Sequence, residues 1–373
     1  MLASIVLALA LLGDSLLYAV LPLHASTFGV SLAWVGVLLS ANRIIRLVVY
    51  PYLARAAATG LRRFTVTAAA AGAFSTLAFA FGQGAWVLLA SRLVWGSVFG
   101  ALSLSTLAYA TVRHEEAGRR VGVSLSLREL GPLFALTFGA AGTTVLGLRP
   151  ALGILGVLSL GGVFLATLLP DPEIAGEGRR AGGLRRPRNV EWISLVAGFV
   201  TDGVFPATVG LLLARPGGGS EALAGAGLLL AFKRVAVMLL APVGGRAADR
   251  FGGGAVTAAG LAAAATGAFC IGFGEVIAGA VLLCCGAAVT TTTIPVAVAT
   301  GDPEERVSAL ARVAMARDAG AAAGPLVALV AFEAAGATIL YSAAGLLLAA
   351  SGLLAPRRRR WTCCPSPRSA GRG

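Results

Sequence analysis

The segment Gly227–Gly252, GLLLAFKRVAVMLLAPVGGRAADRFG, decides how the whole chain is read. It is an apolar run with Lys233 and Arg234 near its middle, and it ends in a basic turn, Gly245-x-x-x-Asp249-Arg250-x-Gly252. A relative lies 191 residues earlier at 36–61, GVLLSANRIIRLVVYPYLARAAATGL. Gly36 aligns with Gly227, Arg43 with Arg234, Pro51 with Pro242 and Arg55 with Arg246. One pattern therefore occurs twice: an apolar span interrupted by charge, then a basic turn.

Composition says what such spans are. Of 373 residues, 57% are hydrophobic and 13% charged, and mean hydropathy is +0.85. Apolar runs of roughly 18–25 residues cross a bilayer as helices. No water is available there to satisfy the backbone, so the runs must be helical. The 50 glycines suit helices packed closely through small residues. The first run, from Met1, contains Asp14, lacks a basic start and continues past Pro22, so it reads as a retained membrane helix rather than a leader. A net charge of +13 invites a nucleic-acid reading, but the charge is spread over alternate loops instead of gathered on one soluble face. Neither the five cysteines nor the two histidines have metal-ligand spacing, and no phosphate-cradling loop is present, so no cofactor is expected.

Twelve spans are predicted, at 1–23, 32–54, 64–82, 85–112, 121–147, 151–170, 190–214, 222–243, 255–273, 276–299, 309–332 and 337–355. Short spacers at 82–84 and 274–275 predict tight helical hairpins. Twenty arginines follow even-numbered spans, whereas only Arg149 and Arg215 lie in loops after odd-numbered ones. That asymmetry places both termini in the cytoplasm. Residues 171–189, rich in Arg, Gly and Pro, read as a linker between six-span bundles at 1–170 and 190–355, and 356–373 reads as a basic cytoplasmic tail. Cys363-Cys364 in that tail suggests either a lipidation site or plain disorder. Other landmarks repeat at nearly the same offset. Asp14 aligns with Asp202, Arg128-Glu129-Leu-Gly131 with Arg317-Asp318-Ala-Gly320, and Glu115-Glu116 with Glu304-Glu305. Parallel repeats of six-helix halves characterise one large transporter class.

Three motifs carry a family resemblance. Gly245-x-x-x-Asp249-Arg250-x-Gly252 resembles the signature of the major facilitator superfamily. Arg92-Leu-Val-Trp-Gly96 in span 4 is similar to its Arg-x-x-x-Gly element, and Gly122 with Gly131-Pro132 in span 5 to the Gly-Pro element of its exporters. The resemblance covers residues 1–355. It implies an all-α membrane protein of twelve helices in two pseudo-repeated bundles, acting as a monomer and assigning Asp249 and Arg250 to a cytoplasmic gate. Where the second copy of the signature has Asp249, the first has Ala58.

A charge at the bilayer centre costs roughly 2.5–3.5 kcal/mol even on lenient scales, so such residues normally face a bundle interior and pair with one another. Asp14 lies about 20 Å into span 1 at about 1.5 Å per residue, and Arg92 reaches the same depth on span 4. Asp14, Asp202 and Arg92 are the candidates for proton coupling, weighed against purely structural ion pairs. Arg43 and Arg46 share one helix face. With Lys233 and Arg234 they are the candidates for substrate binding. Arg128, Glu129, Arg317 and Asp318 are assigned to the gate with Gly245, Asp249, Arg250 and Gly252. Adjacent helical residues point about 100° apart, so neither Arg128-Glu129 nor Arg317-Asp318 is expected to close on itself. Seven bases (Arg43, Arg46, Arg92, Arg128, Lys233, Arg234 and Arg317) against four acids (Asp14, Glu129, Asp202 and Asp318) favour an anionic or carboxylate-bearing substrate.

The function expected is secondary transport of a small organic solute across the bacterial inner membrane. Proton-coupled efflux by alternating access leads, and the alternatives are an uptake symporter or a uniporter of an anionic metabolite. A membrane enzyme would want clustered His, Glu or Cys, and a sensor would want a soluble domain. Neither is present, so no enzymatic activity is expected.

Overall fold

The computed structural model describes residues 1–21, 26–30, 32–112, 116–171, 189–213, 219–299 and 306–355. Residues 172–188 of the expected linker, the basic tail with its cysteine pair, and Glu115, Glu304 and Glu305 lie outside them. The described residues contain helices and no strand. Nine segments are long and apolar enough to span a membrane. The longest, Arg306–Leu354, is two rods joined at Gly336, whose φ of 76° breaks the helix. Split there, and with Leu2–Val20 and Leu32–Thr59 added, the described chain forms twelve rods. We number them α1 (Leu2–Val20), α2 (Leu32–Thr59), α3 (Leu61–Phe81), α4 (Ala85–Thr111), α5 (117–146), α6 (Leu148–Thr167), α7 (Asn189–Leu213), α8 (Gly219–Phe251), α9 (Gly253–Gly272), α10 (Val276–Ala299), α11 (306–335) and α12 (337–354).

The rods extend further than the apolar runs. Helix α2 continues to Thr59 and α8 to Phe251, so the segment from Gly245 onward is helical and not the turn expected from its glycines and charges. Only Gly252, at φ 92°, reverses the chain before α9. A side chain strains that conformation, whereas glycine adopts it freely.

Two rods depart from α geometry. In α5 the helix is interrupted between Arg128 and Leu130 and passes through a π-helical stretch, Ala135–Gly139. In α7 the wide turn is Gly198–Val204 and contains Asp202. Pro132 and Pro206 stand beside these irregularities, and each removes the N–H that would bond the carbonyl four residues earlier, at Arg128 and Asp202. Such local widening often marks functional positions.

Within the first six rods, α1 packs on α4, α5 and α6, α3 on α4 and α6, and α2 on α4. Within the last six, α9 packs on α10, and α8 on α10. Gly345 of α12 meets Phe269 of α9, and Gly320 and Gly324 of α11 meet α7 backbone. The starts of odd-numbered rods and the ends of even-numbered ones share one face. There Thr106 Oγ1 donates to the Ala3 carbonyl, Tyr109 Oη to the Pro170 carbonyl and the Arg62 backbone N–H to Asp171 Oδ1. Both Leu2 and Leu354 lie on this side, called the terminus face below. Large apolar side chains on the outside, such as Phe74, Val145 and Phe164, are exposed as a lipid-facing surface requires.

The α9–α10 contact shows how close the rods run. A Cβ at Gly267 would lie 2.4 Å from the Leu283 nitrogen and 2.5 Å from the Gly279 carbonyl oxygen. Overpacking of this kind typically costs about 1–3 kcal/mol. Gly267→Val is therefore expected to lower the melting temperature of the detergent-solubilised protein by several degrees. An unchanged melting temperature in a scanning assay contradicts this packing.

Candidate functional site

The first six and last six rods meet along two seams, α5 against α8 and α2 against α11. At the terminus face the α5–α8 seam is backbone on backbone. A Cβ on Gly245 would lie 2.0 Å from the Gly118 carbonyl oxygen, and one on Gly122 would lie 2.3 Å from that of Ala241. This close approach puts the Asp249 carboxylate over the first turn of α5. It accepts the backbone N–H of Gly118 and of Arg119, each at 2.8 Å. Those groups have no partner within their own helix, and the positive end of the helix dipole favours an anion there. Arg250, expected in the same gate, instead lies with its guanidinium 5.2 Å from the Phe251 ring centroid.

Deeper along the same seam, Ser126 Oγ donates to the Met238 carbonyl at 2.6 Å. Four residues on from Met238 is Pro242, which has no N–H to occupy that carbonyl. The other seam uses the same device. Arg43 Nη1 donates to the Ala321 carbonyl at 3.3 Å, and Pro325 stands four residues beyond. The spacing of these prolines frees acceptors, and the opposite half occupies them.

Each seam also carries an acid bound by an arginine of the opposite half. Glu129, 1% exposed, bonds Arg234 of α8 at 3.1 Å and Arg128 at 2.7 Å. Asp318 of α11 bonds Arg46 of α2 at 3.1 Å and accepts the Tyr50 hydroxyl at 2.9 Å. Arg46 also lies over the Phe99 ring. The alignment of Glu129 with Asp318 thus extends to what they do: each reaches across a seam. The expectation that Arg128 and Glu129 do not close on each other is wrong. The interruption of α5 above Pro132 turns the two side chains toward one another, and Arg128 Nε and Nη2 both donate to Glu129 Oε1. Arg317 and Asp318 behave as expected and face different partners.

Arg317 lies away from the gate, with its Nε 2.8 Å from Asp202 Oδ2, while Lys233 Nζ lies 2.6 Å from Asp202 Oδ1 and 2.6 Å from the Thr201 carbonyl. This triad joins α7, α8 and α11. It brings a coupling candidate, a binding candidate and a gate candidate into one cluster. Lys233 and Arg234 are consecutive on α8, so one looks into its own half at Asp202 and the other across the seam at Glu129. Arg234 also lies within electrostatic reach of Asp202 and Asp14. Asp14 and Arg92, matched for depth in the sequence, form an ion pair between α1 and α4. Arg92 is 1% exposed, and its Nε donates to the Leu38 carbonyl of α2.

Sequence reasoning missed Tyr50, Ser126 and Gly118. Tyr50 precedes the repeated Pro51, but nothing in one sequence marks a hydroxyl as a partner of an acid 268 residues away. Of the threonines Thr290–Thr293 on α10, Thr290 and Thr291 bond the Ala287 carbonyl of their own helix, and Thr293 accepts the Thr257 hydroxyl of α9.

No family model and no curated protein sequence matches the chain. Solved structures do. The chain is similar to the human organic anion transporter MFSD10, at TM-score 0.77 and 19% identity, over 95% of this chain and 98% of that one. It is similar to FucP, a major facilitator transporter in the outward conformation, at 0.75 and 16%, over 97% and 98%. The proton:xylose symporter XylE matches at 0.71 and 14%, over 94% and 93%. The chain has the major facilitator fold and is a multi-pass, all-α membrane protein, and these neighbours are transporters rather than enzymes.

The Asp249 cap is worth about 1 kcal/mol by analogy with helix N-caps. Asp249→Ala and Glu129→Gln are each expected to loosen the α5–α8 seam. Alkylation of Ser126→Cys, followed by site-resolved mass spectrometry, should speed up several-fold in either background. Equal rates with and without these substitutions would show that neither carboxylate holds the seam.

Proposed function

We propose that the protein is a secondary transporter of a small organic anion, working as a monomer by alternating access between its two six-rod halves. The observation that carries this reading is the excess of bases inside the twelve spans, where eight (Arg43, Arg46, Arg92, Arg128, Lys233, Arg234, Arg312 and Arg317) stand against five acids (Asp14, Glu129, Glu191, Asp202 and Asp318). Uncompensated charge in a low-dielectric interior is costly, by several kcal/mol per ion. A transported anion offsets that cost for as long as it is bound. The likeness to an organic anion transporter points the same way.

In this reading the terminus face is cytoplasmic, in a bacterial inner membrane, and the contact of Gly118, Gly245 and Asp249 is its closed gate. Alternating access requires both seams to part there. The bonds that must break include the Ser126 and Arg43 contacts with proline-freed carbonyls, the two cross-seam acid–arginine pairs, the Tyr50 hydroxyl on Asp318, the Arg306 contact with the Thr111 carbonyl, and the Asp249 cap. Anion binding to Arg234 competes with Glu129 and so weakens one of these pairs. Binding of the solute and release of the gate are then linked through one side chain.

Proton coupling, with Asp14 or Asp202 as the titrating group and Arg92 as the charge partner of Asp14, belongs to the same proposal. So does export, the direction favoured by Gly131-Pro132. Two symporters of protons and sugars stand among the structural neighbours, so uptake driven by protons is the second reading.

Transport of labelled organic anions into proteoliposomes, with and without an imposed pH gradient, tests the proposal. Gradient-driven movement is expected, and Asp14→Asn or Asp202→Asn is expected to abolish the response to the gradient while counterflow survives. Gradient-driven transport retained in both variants removes these carboxylates from coupling. The sign of the gradient that drives accumulation separates export from uptake.

A further inference from the structure

We infer that the transported anion carries two negative charges, one for each of two neighbouring cationic clusters joined by Lys233 and Arg234. The inference rests on the anion reading above and concerns the valence of the substrate.

The ion pairs, taken one at a time, carry the argument. Asp14 with Arg92 is neutral, as is Asp318 with Arg46. Asp202 is shared by Lys233 and Arg317, which leaves that cluster with one net positive charge. Glu129 is shared by Arg128 and Arg234, which leaves a second net positive charge. Arg312 pairs with Glu191, and Arg43 keeps its charge on the other seam, outside these two clusters, where it donates to the Ala321 carbonyl. Two singly charged clusters therefore lie side by side, linked through consecutive residues of α8.

Both clusters have donors to offer. An ammonium has three N–H donors and a guanidinium five. Lys233 directs two contacts at Thr201 and Asp202, and Arg317 directs its Nε at Asp202. Arg234 directs Nη1 at Glu129, and its side chain is 52% exposed although it faces the seam, so its remaining donors are open to a ligand. A monoanion would neutralise one cluster and leave the other with uncompensated charge beside it. A dianion neutralises both, and it bridges the α7–α11 side of the last six rods to the α5–α8 seam, where the halves must part.

Small molecules with two carboxylates and phosphomonoesters share this chemistry, and the test separates them. The full-length protein in detergent is titrated at neutral pH with succinate, methyl phosphate, butyrate and butylammonium, with binding read by calorimetry. Succinate or methyl phosphate is expected to bind at least about tenfold more tightly than butyrate, since each charge-assisted contact is worth roughly twice a neutral one. Whichever of the two binds identifies the headgroup chemistry. Arg234→Gln leaves Arg128 on Glu129 and should fold. It is expected to reduce dianion affinity about tenfold while changing butyrate affinity little, because the Lys233–Arg317 cluster remains. Arg317→Gln, the second variant, is expected to do the same from the other cluster. Butyrate binding as tightly as both dianions overturns the two-charge inference alone, as does a dianion affinity unmoved in Arg234→Gln. Preference for butylammonium, or binding of no anion, overturns the anion reading beneath it.

Discussion

The structure depends on the cost of leaving a polar group unsatisfied away from water. A helix in a bilayer normally satisfies its own backbone, and the two halves would then have little reason to bond to one another. Here prolines cancel that self-sufficiency at chosen places. Pro242 and Pro325 each release a carbonyl four residues earlier, at Met238 and Ala321. The opposite half supplies the donors, Ser126 and Arg43. Each bond is made across a seam because it cannot be made within the rod.

The cross-seam acids follow the same logic at higher energy. Losing a partner leaves Glu129, buried, or Asp318, half-buried, with uncompensated charge away from water, so these acids tie the halves together while their arginines stay in reach. In the proposed reading, Arg234 is also a group that an incoming anion engages. A seam held only by apolar packing would not respond to the charge of a solute. In that reading a seam closed by Arg234 on Glu129 responds directly, since solute and acid compete for one guanidinium. The Asp249 cap works differently, because its partners are backbone N–H groups that no solute at mid-depth can reach.

The two halves are related but unequal. The alignment of Glu129 with Asp318 is matched by equivalent cross-seam pairs, whereas the alignment of Asp14 with Asp202 is not. Asp14 meets α4 through Arg92, while Asp202 meets α8 and α11 through Lys233 and Arg317. The π-helical turn around Asp202 accounts for part of this difference, since an extra residue in the turn rotates its side chain relative to a regular helix. Ala58, standing where the second copy has Asp249, leaves the first copy without a carboxylate to place over a helix start.

The sequence by itself determined the spans, their number and the repeat, because bilayer thickness sets helix length and buried charge is rare enough to act as a landmark. It also singled out charged residues inside the spans, and the matched depth of Asp14 and Arg92 let them meet once α1 and α4 lay side by side. The tertiary structure decided the other partners. Arg128 turns to Glu129 because Pro132 opens the helix between them, and Arg317 leaves the gate for Asp202 because α7 and α11 lie in contact. The signature segment, read as a turn, is a helix to Phe251, since its glycines serve close approach to Gly118 rather than chain reversal. Spacing along one helix is periodic and legible in the residues. Which face of a rod meets which neighbour depends on the packing of all twelve, and no local pattern encodes it.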